Sequence, residues 1–80
     1  MKVNKLIFKQ KNMEDSLSFE VEQEIETDEF ESLIKGHKIS QININTKTGF
    51  IEIKTYSDNF LWYSLNDIEF LSFKMSPDKY

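Results

Sequence analysis

The segment LSFEVEQEIETDEFESLIKG, residues Leu17–Gly36, decides the fold, because the spacing of its apolar residues changes half-way along. In the first half, Leu17, Phe19, Val21 and Ile25 fall on one side of an extended chain. Ser18, Glu20, Glu22, Glu24 and Glu26 fall on the other, with Gln23 the exception. A period of two predicts a half-buried strand. Glutamate favours helices over strands, and Leu17, Val21 and Ile25 are also spaced by four. At about 100° per residue, however, one continuous helix would put Phe19, Phe30, Leu33 and Ile34 on the opposite side. Such a helix would be apolar on both faces, so the strand is the better reading.

In the second half, Asp28 and Glu31 have the spacing of a capping box. Phe30, Leu33 and Ile34 form an i, i+3, i+4 stripe, and Gly36 supplies a left-handed stop. Two turns of helix are not stable alone, so this stripe must dock on a sheet.

Elsewhere the chain reads as strands. KVNKLIFKQ (Lys2–Gln10) is a first strand that pairs with the second; with Leu6 opposite Phe19, Lys5 stands opposite Glu20. KISQININ and FIEIKTY are joined by TKTG, where Gly49 takes positive φ. An even-numbered loop there places Ile42, Ile44, Ile51 and Ile53 on one face. SDN makes the next turn, FLWYSL follows, and a bend at ND leads into IEFLSFKM. SPDKY, residues 76–80, reads as a frayed tail. The expected fold is a single α+β domain spanning 1–80, in the order β-β-α-β-β-β. It combines a five- to six-stranded antiparallel sheet, open or curled into a small barrel, with one short helix.

Eighty residues bury a thin core, and the chain has no cysteine to reinforce it. His37 alone cannot assemble a zinc cluster, so no metal and no cofactor is expected. A Gly-rich phosphate loop is missing, and no nucleophile–base pair stands out, so no catalytic residue is assigned. No run of the sequence approaches the ~18 apolar residues of a membrane span. The expected setting is the cytoplasm of the producing or infected cell, with no membrane partner.

The net charge is −4 and unevenly spread: nine of the fourteen acids lie between Glu14 and Glu31, uninterrupted by lysine. Arginine is absent, which argues against direct nucleic-acid binding. Alanine is absent too, while Lys, Ile, Asn and Phe abound, the signature of AT-rich codons in a bacterial or viral genome.

On a continuous strand, Glu20, Glu22, Glu24 and Glu26 would stand about 6.6 Å apart. Asp28, Glu29 and Glu31 would extend the field onto the helix. Such a carboxylate ridge could occupy the basic groove of a nucleic-acid-binding protein, a nuclease for example, by mimicking its phosphate row. The expectation is a small non-enzymatic inhibitor of phage or mobile-element type. The competing reading of the glutamates is a solvated outer face.

The alternative site is aromatic. If SDN is a three-residue loop, Ile51, Ile53, Leu61, Tyr63 and Leu65 share the core face. Phe50, Tyr56, Phe60 and Trp62 then share the opposite one with Glu52 and Lys54. Four exposed aromatics would form a partner interface or a homodimer contact in a self-associating β-rich module.

Overall fold

A computed structural model of the chain describes residues 1–26 and 35–75. Six strands carry the fold: β1 (Lys2–Gln10), β2 (Leu17–Glu20), β3 (Ile39–Asn45), β4 (Phe50–Thr55), β5 (Phe60–Ser64) and β6 (Ile68–Met75). One 3-10 turn, Leu65–Asp67, joins β5 to β6, with Ser64 Oγ accepting from the Asn66 N–H at 3.3 Å. All pairings are antiparallel.

The α+β expectation is therefore corrected. The described residues form an almost purely antiparallel sheet curled into a half-barrel, and none of them is in an α-helix. The helix expected across Asp28–Gly36 falls mainly on residues 27–34, outside the described residues. Lys35 and Gly36, which are described, form a turn.

The sheet runs β6-β1-β3-β4-β5, with β2 sharing one edge of β1 with β3. Along that edge, Lys2 and Val3 pair with Asn43 and Ile42, whereas Lys5–Phe8 pair with Glu20–Leu17. Val21 N–H donates to Asn4 O and Glu22 N–H to Ile39 O at the seam, so the edge stays hydrogen-bonded where one neighbour gives way to the other.

Three register shifts, at Val3/Lys5, Lys9/Gln10 and Ile39/Gln41, interrupt the ladders, and two of them reset which residues face the core. Between Val3 and Lys5 the register to β6 shifts, so both Val3 and Leu6 face inward despite their odd spacing. Between Ile39 and Gln41 the register to β4 shifts likewise, so Ile39 and Ile42 both face inward. A bulge adds a residue to one strand, bends it and increases its twist.

The isoleucine ladder is as expected. Ile42 lies opposite Ile53 and Ile44 opposite Ile51, all four buried. Each contributes roughly 1.5–3 kcal/mol of burial. Gly49, at φ +82°, closes the turn by donating to Asn45 O at 2.9 Å, and Asn45 Oδ1 accepts from Lys47 N and Thr48 N.

Three rings lock the curl. Phe8 of β1 meets Tyr63 of β5 edge-on with ring centroids 4.8 Å apart, and Phe19 of β2 stands 6.0 Å from Phe8 and 5.9 Å from Tyr63. β1 and β5 are not neighbours in the sheet, so only curvature brings these side chains together.

Candidate binding surface

The outer face of β4 and β5 carries the aromatic residues. Thr55 N–H donates to Asn59 O, which leaves Tyr56, Ser57 and Asp58 as a three-residue loop, with Asp58 at φ +64°. That loop fixes parity. Ile51, Ile53, Leu61 and Tyr63 are buried, while Phe50, Phe60 and Trp62 are exposed. Leu65, expected on the core face, lies in the 3-10 turn and is half-buried against the core.

Across the pair of strands, Glu52 faces Trp62 and Lys54 faces Phe60. Phe60 and Trp62 stack at 5.9 Å with 27° between their planes, and Lys54 Nζ lies 5.9 Å from the Phe60 ring centre. Lys54 also reaches Asp58 at 3.6 Å. Trp62 remains 63 % exposed, so its indole is presented outward and contributes little to the core.

Phe50, Trp62, Glu52 and Thr48 bound a shallow groove of about 420 Å³. The Glu52 carboxylate is held at its edge by the Asn43 amide, which donates at 3.2 Å. Two aromatic rings beside one positioned carboxylate form an environment that favours a cation, through the negative ring faces and the formal charge together. The apolar lining equally accepts an aliphatic stem.

Tyr56, the fourth aromatic expected here, goes elsewhere. It is exposed at the turn, and its hydroxyl donates to the Glu22 carboxylate. That hydrogen bond, with smaller contributions from desolvation and from the Glu22 charge, raises the phenol above its ordinary value of 10.0.

The acidic ridge is not a straight row. β2 ends at Glu20, and Glu22 adopts φ +75°, turning the chain away from β1. From there the chain forms a short ladder with the approach to β3. Ile39 N–H donates to Gln23 O, Glu24 bridges to Lys38, and Ile25 N–H donates to His37 O. Ile25 is buried by this turn. The clean alternation of the sequence thus describes only Leu17–Glu20, and the even carboxylate spacing is corrected with it.

Glu20, Glu24 and Glu26 still come together, lining a recess of about 220 Å³ with Ser18 and Gln23. Glu22 belongs to Tyr56 instead, and Asp28, Glu29 and Glu31 lie outside the described residues. Lys5 stands opposite Glu20, in the expected register.

A polar knot beneath the β4–β5 turn has no forerunner in the sequence pattern. Thr55, the one buried polar residue of the described core, places its Oγ1 3.0 Å from Ser57 Oγ and accepts from Asn59 N–H at 3.1 Å. Ser57 Oγ lies 2.5 Å from His37 Nδ1, and Asn59 Nδ2 approaches the same nitrogen at 3.4 Å. A catalytic histidine uses its two ring nitrogens for two different partners. Here Ser57 and Asn59 both gather at Nδ1, an arrangement that ties the 35–38 segment to the β4–β5 loop. Tyr56 N–H donating to Lys38 O reinforces that tie.

Among the described residues, no group of three His, Asp or Glu side chains converges to hold a metal ion, and no helix is long and apolar enough to cross a membrane. IEFLSFKM forms β6, in line with the strand pattern of the sequence, but its exposed apolar residues had no assigned place. Its Phe70, Phe73 and Met75 are exposed, although Leu71, Phe73 and Met75 stand opposite the buried Phe8, Leu6 and Val3.

Comparison with protein-family models, with curated proteins and with solved structures finds no match for this chain.

Proposed function

We propose that this protein is a non-catalytic binding module. It docks a partner protein on the outer face of β4 and β5, and the partner inserts a lysine- or arginine-bearing segment beside Trp62. The observation that carries the reading is the groove, in which Phe50, Trp62 and the Asn43-held Glu52 surround one opening. An exposed tryptophan on a rigid strand is the residue type that most often dominates a protein interface. A cation over an aromatic face contributes about 0.5–1 kcal/mol when exposed and about 2 kcal/mol when desolvated. The net charge of −4, concentrated in Glu14–Glu31, attracts a basic partner to the molecule at long range.

A short peptide of alternating Lys and Leu, and its Glu–Leu counterpart, test this by titration against Trp62 fluorescence and backbone amide shifts. The Lys peptide should perturb Trp62, Phe50 and Glu52, with Trp62→Ala weakening it at least tenfold, and the Glu peptide should do nothing. Equal response to both peptides, or shifts confined to another surface, would overturn the assignment.

A second reading rests on the recess of Glu20, Glu24 and Glu26. In this reading the partner is the basic site of a nucleic-acid-binding protein, and the module acts as an inhibitor of phage or mobile-element type. Binding of a basic protein that Glu24→Lys and Glu26→Lys abolish, and Trp62→Ala leaves intact, would select it over the aromatic groove.

A further inference from the structure

We infer that the groove beside Trp62 selects arginine over lysine, the guanidinium stacking on the indole while its rim donates to the Glu52 carboxylate. This selectivity rests on the docking of a basic segment at β4 and β5 proposed above, and it fixes which cation that segment carries.

Strand pairing lays the parts out in one outward-facing row. Asn43 of β3 stands opposite Glu52 of β4, and Glu52 opposite Trp62 of β5. The Asn43 amide donates to Glu52 Oε1 at 3.2 Å, which draws the carboxylate to the β3 side, away from the indole. The anionic and aromatic halves of the site therefore lie side by side, on strands whose axes are about 4.8 Å apart. A compact ammonium meets one half at its best distance. A guanidinium is planar and carries its N–H donors around its rim, so it can lie on the ring and reach the carboxylate at once.

Exposure works in the same direction. Trp62 is 63 % exposed, so a cation resting on it keeps water on one side. An ammonium is strongly hydrated and gains little from a ring under those conditions. A guanidinium is weakly hydrated and gives up little water when it stacks.

The lysines already on this face behave accordingly. Lys54 stands two residues from Glu52 on the same side of β4, yet its Nζ goes to Asp58 at 3.6 Å and stops 5.9 Å from the Phe60 ring centre. Lys2 lies opposite Asn43, one strand further along the row. Neither forms an ion pair with Glu52, which has no cationic partner among the described residues. A second copy of the chain would bring only more lysine, because the sequence holds ten lysines and no arginine. The occupant is therefore an arginine from a chain of different sequence.

Three peptides of equal length, alternating leucine with arginine, lysine or citrulline, test the selectivity on the full chain. Citrulline keeps the planar head of arginine and removes its charge. Trp62 is the single tryptophan, so its fluorescence reports the groove directly, and backbone amide shifts locate the contact. The arginine peptide should bind about three- to tenfold more tightly than the lysine peptide, with shifts centred on Phe50, Glu52 and Trp62. The citrulline peptide should bind more weakly than either. Glu52→Gln keeps the shape of an outward-facing side chain and so leaves the fold intact; it should bring the arginine and lysine peptides to within about twofold of each other. Arginine and lysine affinities within about twofold in the parent chain, or an arginine preference undiminished in Glu52→Gln, would overturn the selectivity while leaving the groove as a docking site. Failure of both cationic peptides to perturb Trp62 would remove the docking site itself, and the selectivity with it.

Discussion

The contact between Phe8 and Tyr63 can decide whether the sheet is curled in solution. Along the hydrogen-bonded path from β1 through β3 and β4 to β5 there are three strand spacings. At about 4.8 Å each, a flat sheet would hold these residues about 14 Å apart. Curled, their ring centroids are 4.8 Å apart. The perturbation is a double-mutant cycle of Phe8→Leu, Tyr63→Leu and the pair.

Leucine keeps most of the buried volume of Phe8, so the single change should cost about 1–2 kcal/mol, well below the ~3–5 kcal/mol of truncation to alanine. That is tolerable for a domain of this size, whose total stability is about 4–12 kcal/mol. With a urea slope of about 1 kcal/mol/M, the midpoint should fall by about 1–2 M. The two changes should fail to add by about 0.5–1.5 kcal/mol, the worth of an edge-on aromatic pair beyond its area. Urea unfolding followed by far-UV circular dichroism measures all four proteins. Additivity to within about 0.3 kcal/mol, the behaviour of residues that do not touch, would refute the curl and the shared core with it.

Two further outcomes follow from local geometry. Gly49→Ala should destabilise by about 1 kcal/mol in urea unfolding, because φ +82° strains any residue with a Cβ, although the added methyl would meet nothing within 4 Å. Glu22→Gln should lower the Tyr56 phenol towards its ordinary 10.0, measured by phenolate absorbance against pH. The folded state raises this group, so the stabilisation from the Tyr56–Glu22 bond is complete below the ordinary value and is lost as pH climbs through the raised one. An unchanged titration in the Glu22 variant would mean that the bond does not form in solution.

Most strands were legible in the sequence because alternation is a local property. The chain from Lys2 to Gln10, the isoleucine ladder, the turn at Gly49 and the Leu6–Phe19 register all follow from a period of two and from turn residues with one conformational use. The aromatic face was legible for the same reason: the expected loop, Ser57–Asn59, lies one residue beyond the observed Tyr56–Asp58, but both hold three residues and set the same parity. Tyr56 escaped the pattern because a turn residue is aimed by its loop and not by strand parity.

The bulges at Val3–Lys5 and Ile39–Gln41 were illegible, since an inserted residue costs no change in composition and is fixed only by what the neighbouring strand requires. The glutamates misled for a related reason. Their alternation continues past Glu20, but β1 offers its edge to β3 beyond Asn4, so β2 has no room to continue and the chain turns at Glu22.

Side-chain periodicity and turn chemistry act within a few residues, and they dictate that this chain builds antiparallel strands, where most of them turn, and which side of each is apolar. Tertiary packing alone fixed that the described residues curl into a half-barrel, that Glu20, Glu24 and Glu26 share a recess while Glu22 leaves them, and that Phe70, Phe73 and Met75 of β6 are exposed. Those outcomes depend on which strands compete for the same hydrogen-bonding edge and on how far the sheet must bend to bring Phe8 against Tyr63, and such competition is settled between residues distant in sequence.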